Sequence, residues 1–309
     1  MGDRRGENAG DGRVVEDIKE GFGVINRNLP LVLIQTGTML LSLLLFIILV
    51  GIPIAIAIIY FGIDIGRFKG AVETIKDPID FLYEYSGLAI FMVTSFVLYL
   101  TVITGIALFV FGGNMAIMKG SIIDQTEKFS FKKFIKEGKR YFQPLCWLSL
   151  ILGIFFILLI FVLGALVGIA IVLLTPYKDV MGTFLIVLAI ISGLITLLLA
   201  FVGFFLILTL SIYAVIALIV EELKAWKAIK RAITFMKVNF LESIGFYILL
   251  IAGYIVAIIL MMIVAFPFNM IPFIGPIISI PFQFVTYIIQ VYLGLVMMAS
   301  LMVFYIRKA

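Results

Sequence analysis

Histidine is absent from the 309-residue chain, and cysteine occurs once, at Cys146. These absences exclude disulfide frameworks, Cys/His metal sites and any mechanism that uses an imidazole base. Charge is scarce as well. Asp, Glu, Lys and Arg make up 13% of the residues, against about 25% in an ordinary soluble domain. Apolar residues make up 64%, and the mean hydropathy is +1.26. That composition excludes a soluble globular fold and a disordered chain, and leaves an integral membrane protein.

A hydrocarbon core about 30 Å thick takes roughly 20 apolar residues at about 1.5 Å rise per residue. Five stretches lack Asp, Glu, Lys and Arg, namely 28–63, 85–118, 141–177, 180–220 and 243–306. The last holds Pro267, Pro272, Pro276 and Pro281, which cannot all sit in one straight helix, so it reads as two spans joined by a proline-rich apolar connection. The sequence thus predicts an all-α polytopic membrane protein with six transmembrane helices near 31–60, 88–118, 145–174, 183–220, 244–266 and 284–306.

The fourth span is too long for one crossing, and Gly203 is the obvious place to divide it. Lysine and arginine counting decides against that. With six spans, nineteen of these residues fall on the side of the termini and four on the other, whereas division would move the 224–237 cluster across. This positive-inside asymmetry predicts a multi-pass protein of the cell membrane with both termini cytoplasmic. The excess length is then expected to appear as tilt, as a bend near Gly193 or Gly203, or as helix continuing past the membrane surface. The first thirty residues are polar and show no secretory signal, and the Arg4-Arg5 pair lacks the apolar region a twin-arginine signal needs. Residues 1–12 read as a disordered tail, and 13–309 as one membrane domain.

Three basic segments end in helices of the same kind. Val14, Ile18, Phe22 and Ile25 recur at helical spacing, as do Phe131, Phe134, Ile135, Gly138 and Phe142, and again Trp226, Ile229, Ile233, Met236 and Phe240. Ile18-Lys19-Glu20-Gly21 returns as Ile135-Lys136-Glu137-Gly138, and sliding Asn28 onto Asn239 superposes Ile18-Lys19 on Ile229-Lys230. We read three pseudo-repeats, about 13–120, 129–221 and 222–309, each an amphipathic cytoplasmic helix followed by two spans. The plainest role for such a helix is an elbow that orients the next span. Its apolar stripe also suits the headgroup boundary, where lysines attract anionic lipid at about 1 kcal/mol each. The candidate anionic-lipid contacts are Lys132, Lys133, Lys136, Lys139, Arg140, Lys224, Lys227, Lys230, Arg231 and Lys237. Docking of a cytoplasmic protein partner is a third role, and no nucleic-acid partner is expected.

The run Ala228-Ile229-Lys230-Arg231-Ala232-Ile233-Thr234-Phe235-Met236-Lys237-Val238-Asn239-Phe240, after a long span ending in 213–222, resembles uncharacterised prokaryotic six-span membrane-protein families. These are related to the membrane domain of glycerophosphodiester phosphodiesterases. The resemblance covers nearly the whole chain in its repeat architecture. It implies a six-span helical bundle concerned with lipids or envelope homeostasis, and it brings no catalytic residues.

No ionisable group lies inside the six spans as placed, which counts against proton-coupled and voltage-sensing transport. Neutral polar residues remain: Gln35, Thr36, Thr38 and Ser42 in the first span, Thr94, Ser95, Thr101 and Thr104 in the second, and Gln283, Thr286, Tyr287 and Gln290 on one face of the last. Bonding between helices is the plain reading of this last face, and the lining of a polar cavity the functional one. Gly164 and Gly168 form a small-xxx-small pair expected to serve internal packing, and Gly112-Gly113-Asn114 reads as a helix bend. Asp64, Glu73, Asp77, Asp80 and Glu84 read as a solvated acidic surface, a weak cation site being the alternative. The stretch 266–284 reads as an interfacial cap, or else as a re-entrant loop.

No metal, cofactor or catalytic residue is expected. The chain lacks paired intramembrane carboxylates, a Ser/Lys dyad within a span and a phosphate-cradling glycine loop. The leading expectation is a non-enzymatic protein that organises membrane lipids or a partner through basic cytoplasmic interfacial helices. The alternative is a permease or exporter for an uncharged or lipid-like substrate.

Overall fold

A computed structural model describes residues 7–62, 86–174, 178–269 and 275–309. The described chain runs α1 (Glu7–Arg27), α2 (Pro30–Phe46), a π-helical turn (Ile47–Gly51), α3 (Ile52–Gly62), α4 (Ser86–Ile123), α5 (Phe131–Leu174), α6 (Lys178–Val220), α7 (Ala225–Val238), α8 (Phe240–Asn269) and α9 (Gly275–Lys308). Among the described residues, six helical stretches are long and apolar enough to cross a membrane. The chain is therefore an all-α, multi-pass membrane protein. Helix α1 begins at Glu7, inside the stretch expected to be a tail.

Local chemistry accounts for the breaks. Pro53 lacks an N–H and its ring crowds the carbonyl four residues back, and the helix widens into a π turn just there, over Ile47–Gly51. Helix α6 is interrupted at Gly182, ahead of the long fourth span, whose far end from Tyr213 to Ile219 is buried except for the half-buried Val215. The excess length is thus helix continuing into packed protein, with no break at Gly193 or Gly203.

Two of the amphipathic helices end at an asparagine elbow. Asn28 Nδ2 donates to the Val24 carbonyl at 2.8 Å, and Asn239 Nδ2 donates to the Phe235 carbonyl at 3.3 Å. The Asn28 side chain thereby satisfies a carbonyl that its own N–H, bonded to Ile25, leaves open, and the Asn239 side chain adds a second bond to a carbonyl that its own N–H also reaches. The middle amphipathic segment has no elbow. Its amphipathic part and its span form the single helix α5, with Pro144 at the junction. In the proline-rich stretch, Pro267 lies within α8 and Pro281 within α9, so helix occupies most of a segment expected to be a cap or a loop. The remaining choice between those two falls on 270–274, outside the described residues.

The core gathers at one end of the bundle. It combines Val24 and Ile25 of α1, Met115 and Met118 of α4, Tyr213 to Ile219 of α6, Ile229 and Phe235 of α7, and Ala299 to Tyr305 of α9. In the most apolar stretch of α5, of α6 and of α8, by contrast, no described residue is buried. Protein packs most fully on protein at this base, and farther along the spans the side chains are exposed or half-buried, with α5 and α6 still meeting at Phe156 and Phe204. Helix α1 lies on α9, the start of α5 on α4, and α7 on α6.

Glycine makes the first two of these contacts close. A Cβ on Gly21 would meet the Ser300 backbone nitrogen at 2.9 Å, and one on Gly138 would meet the Phe109 carbonyl at 3.0 Å. These are the glycines of the repeated Ile-Lys-Glu-Gly. Ala232 follows Ile229 by three residues, as Gly21 follows Ile18, and is fully buried. Gly112 and Gly113 work with Gly138. Helix α4 runs through them unbroken, and side chains there would strike Tyr141 at 3.2 Å and Phe134 at 2.5 Å. The expected bend is corrected to a close helix contact.

Candidate functional site: the charged base

The base holds the chemically distinctive groups. The turn after α6 is closed by a bond from the Leu223 N–H to the Leu218 carbonyl at 3.1 Å, with Glu222 in the left-handed region at φ 54. Glycine is the usual residue there, because a Cβ costs about 1 kcal/mol or more at such φ. Glu222 is used because its carboxylate has partners. Lys119 Nζ donates to it at 3.1 Å and to the Ile219 carbonyl at 3.0 Å, and Arg140 pairs with its other oxygen. The hydrogen bond from Lys119, and then the lysine's charge, hold the Glu222 carboxyl below the usual range. Lys119 thus also caps the negative end of α6.

Next to it, Glu221 accepts from Arg231 Nε at 2.7 Å and from the Tyr305 hydroxyl at 2.6 Å. Tyr213, Phe235 and Tyr305 stack beneath, with Phe235 and Tyr305 ring centroids 4.6 Å apart. At the other side of the base, buried Asp17 pairs with Arg307 of α9. Burial pushes its carboxyl up to about 6 against the pull of Arg307, with Glu20 and Glu16 adding to the rise and Lys308 opposing it. Lys308 itself pairs with Glu242 at 2.6 Å. These ties bring the N-terminal helix, the C-terminus and the connections 124–130 and 221–224 to a single end.

The predicted lysines and arginines divide into two groups. Lys133 pairs with Glu127, Arg140 with Glu137 and Glu222, and Arg231 with Glu221, so these three hold the base together. Lys132, Lys136, Lys139, Lys224, Lys227, Lys230 and Lys237 are exposed and have no ion pair among the described residues. Lys230 Nζ sits 5.8 Å from the centre of the exposed Trp226 ring. The apolar stripe expected on α7 is in fact two faces. Ile229 and Met236 are buried against protein, whereas Trp226, Ile233 and Phe240 point outward with Val238 and Leu241.

The other predicted positions fare differently. Thr286, Tyr287 and Gln290 are half-buried and Gln283 is exposed. None of the three cavities described here is lined by them. The acidic cluster from Asp64 to Glu84 lies outside the described residues. Internal packing at Gly164 and Gly168 is overturned, because a Cβ on either would meet nothing within 4 Å. Sequence reasoning missed the Asp17–Arg307 pair, the Glu222 node and a polar seam between α2 and α4. In that seam Asn114 Nδ2 donates to Gln35 Oε1 at 3.0 Å, and seven residues from these lie Asn28, in the turn before α2, and Ser121 of α4, both buried. The seven-residue spacing of Asn28 from Gln35 and of Asn114 from Ser121 was its one legible trace.

A cavity of 260 Å³ beside Glu222 is bordered by Lys119, Glu127, Lys133, Glu137 and Arg140. Its three cations are already bonded to carboxylates, and Asp124, which also lines it, accepts from Thr126, so the cavity offers no free cation to an anionic ligand. No cluster of metal ligands occurs among the described residues. The fold and base thus define a helical membrane protein with six candidate spans in which, among the described residues, the ion pairs lie at one end. No family model, no curated protein and no solved structure matches the chain.

Proposed function

We propose that the protein is a non-enzymatic organiser of anionic membrane lipid, acting through basic interfacial helices on the cytoplasmic side. The carrying observation is the divided face of α7. Its inner residues are used up against α6, while Trp226, Ile233 and Val238 remain exposed beside Lys227, Lys230 and Lys237, followed by the exposed Phe240 and Leu241 at the start of α8. An outward apolar patch flanked by unpaired lysines suits the boundary between acyl chains and anionic headgroups. The triplicated plan belongs to this proposal. Each amphipathic helix rests on the returning span of the copy before it, α1 on α9, α5 on α4 and α7 on α6, as a cyclic threefold arrangement requires. Kinship with the membrane domain of glycerophosphodiester phosphodiesterases fits the same reading. The permease reading draws no support from the polar face of α9, which reaches none of the cavities described.

The test uses the full chain with Trp147→Phe, so that Trp226 is the remaining indole, in phosphatidylcholine nanodiscs containing a minority of brominated phosphatidylglycerol or brominated phosphatidylcholine. Stronger quenching of Trp226 by the anionic lipid is expected, and it should disappear when Lys227, Lys230 and Lys237 become Gln. Equal quenching by the two lipids in the unaltered lysine background would overturn the reading and favour a protein partner for this face.

A further inference from the structure

A groove of 500 Å³ opens between α4 and α5, lined by Thr101, Val102, Gly105, Ile106, Phe109 and Phe142, with Lys139 at its lip. The Thr101 hydroxyl bonds to the Val97 carbonyl at 2.8 Å, so Lys139 is the one charged group the groove offers. The groove starts at the base, where Phe109 meets Gly138, and climbs α4 toward Thr101 in the apolar span. Lys132 and Lys136 precede Lys139 on the same face of α5, exposed and without an ion pair among the described residues. An apolar trough rising from a cationic lip matches the two chemistries of one molecule, an acyl chain and a phosphate.

A second groove shows what is special here. It has 310 Å³, lies between α1, α8 and α9, and is lined by Ile18, Phe22, Leu250, Gly253, Val296 and Met297 among others, with no charged residue. Phe22 follows the first Ile-Lys-Glu-Gly and Lys139 follows the second, so the two grooves present the same register position with different residues. An acyl chain suits both, and a negative headgroup suits only the second.

We infer that the α4–α5 groove is a binding site for one anionic phospholipid, its acyl chain along Gly105, Ile106 and Phe109 and its phosphate at Lys139. This rests on the reading that the basic end faces anionic lipid, and it names where one such lipid sits.

Gly105 supplies the means to break it. A Cβ there would meet nothing within 4 Å, so a larger side chain fills the groove without striking the protein. The full chain carrying Trp147→Phe, Trp226→Phe and Phe142→Trp places the one indole in the groove wall. It is reconstituted in phosphatidylcholine nanodiscs with a minority of brominated phosphatidylglycerol or, in the second arm, brominated phosphatidylcholine. Half-maximal quenching is expected at roughly fivefold less of the anionic lipid, the factor one interfacial lysine supplies. Lys139→Gln should equalise the two lipids, and Gly105→Leu should abolish quenching by both at an unchanged unfolding temperature. Equal quenching with Lys139 present, or a preference that survives Lys139→Gln, overturns the site. Should Phe142→Trp fail to fold, native mass spectrometry of the unmodified chain against Lys139→Gln decides: one fewer retained phosphatidylglycerol supports the site, and equal retention overturns it. Loss of preference here while Trp226 on α7 keeps its own overturns the groove alone, and loss at both reporters overturns the wider reading.

Discussion

The two ends of the bundle are built on different principles. At the base, helices touch through glycine and alanine, aromatic rings stack, and carboxylates are tied to lysine and arginine across segments distant in sequence. Farther along α5, α6 and α8 the side chains are just as apolar, yet no described residue in their most apolar stretches is buried. Apolarity alone therefore does not mark the core of a membrane protein, because lipid tails are as apolar as leucine and supply no hydrophobic drive between helices. Close backbone approach and ion pairs mark the protein–protein contacts of the base instead, whereas farther out α2 and α4 meet through the Ser42 and Tyr99 hydroxyls at 3.2 Å.

Substitutions at glycines of the two ends break the comparison most forcefully. Gly21→Leu drives a side chain into the Ser300 backbone, which cannot yield, and should cost about 1–3 kcal/mol and loosen α1 from α9. The same change at Gly164 or Gly168 should fall within about 0.5 kcal/mol of the parent, because open space surrounds both. Thermal unfolding of the three variants in one detergent checks the ordering. A loss at Gly164 or Gly168 equal to that at Gly21 would mean that the outer halves also pack on protein.

A smaller effect separates strain from charge at the α6 turn. Glu222→Ala loses the carboxylate yet keeps a Cβ at φ 54, whereas Glu222→Gly loses the carboxylate and relieves the backbone. The glycine variant should be the more stable of the two by about 1 kcal/mol, and both should be less stable than the parent if the ties to Lys119 and Arg140 outweigh the strain. Chemical denaturation of the pair measures this, and equal stabilities would remove the left-handed turn from the account.

The smallest effect concerns pH. The Asp17 carboxyl titrates at about 6 when α1 is docked and near 3.8 when it is free, so the docked form takes up a proton first. Docking should therefore tighten as pH falls from 7 through 6, a gain complete near 3.8. A spin label on Val15→Cys in a Cys146→Ser background should become less mobile over that range, and Asp17→Asn should remove the response. Increased mobility on acidification would show that the Arg307 pair outweighs burial.

Much of this architecture is legible in the sequence, and the illegible part has a definite physical character. Spans follow from length and apolarity, and the shared end of the basic segments follows from lysine and arginine placement. The repeated Ile-Lys-Glu-Gly is visible too, although nothing local says that its glycine faces another backbone. Spacing rules single out Gly164 and Gly168, while the helices actually meet at Gly112, Gly113 and Gly138, because contact depends on which helix stands alongside at that depth. On α7, periodicity merges into one stripe residues that face protein, such as Ile229, and residues that face outward, such as Ile233. The Asp17–Arg307 pair joins the first and last helices, a proximity that only the closed fold creates.

The central claim is that all three amphipathic helices lie at one face of the membrane, the cytoplasmic one. Lys19, Lys136 and Lys230 each follow an isoleucine of one amphipathic segment, Ile18, Ile135 and Ile229, and are all exposed. Replacing each singly by cysteine in a Cys146→Ser background and applying a membrane-impermeant maleimide to sealed vesicles of known orientation tests the claim directly. The prediction is that all three react from the cytoplasmic face and none from the other. Reaction of any one from the opposite face would contradict the account.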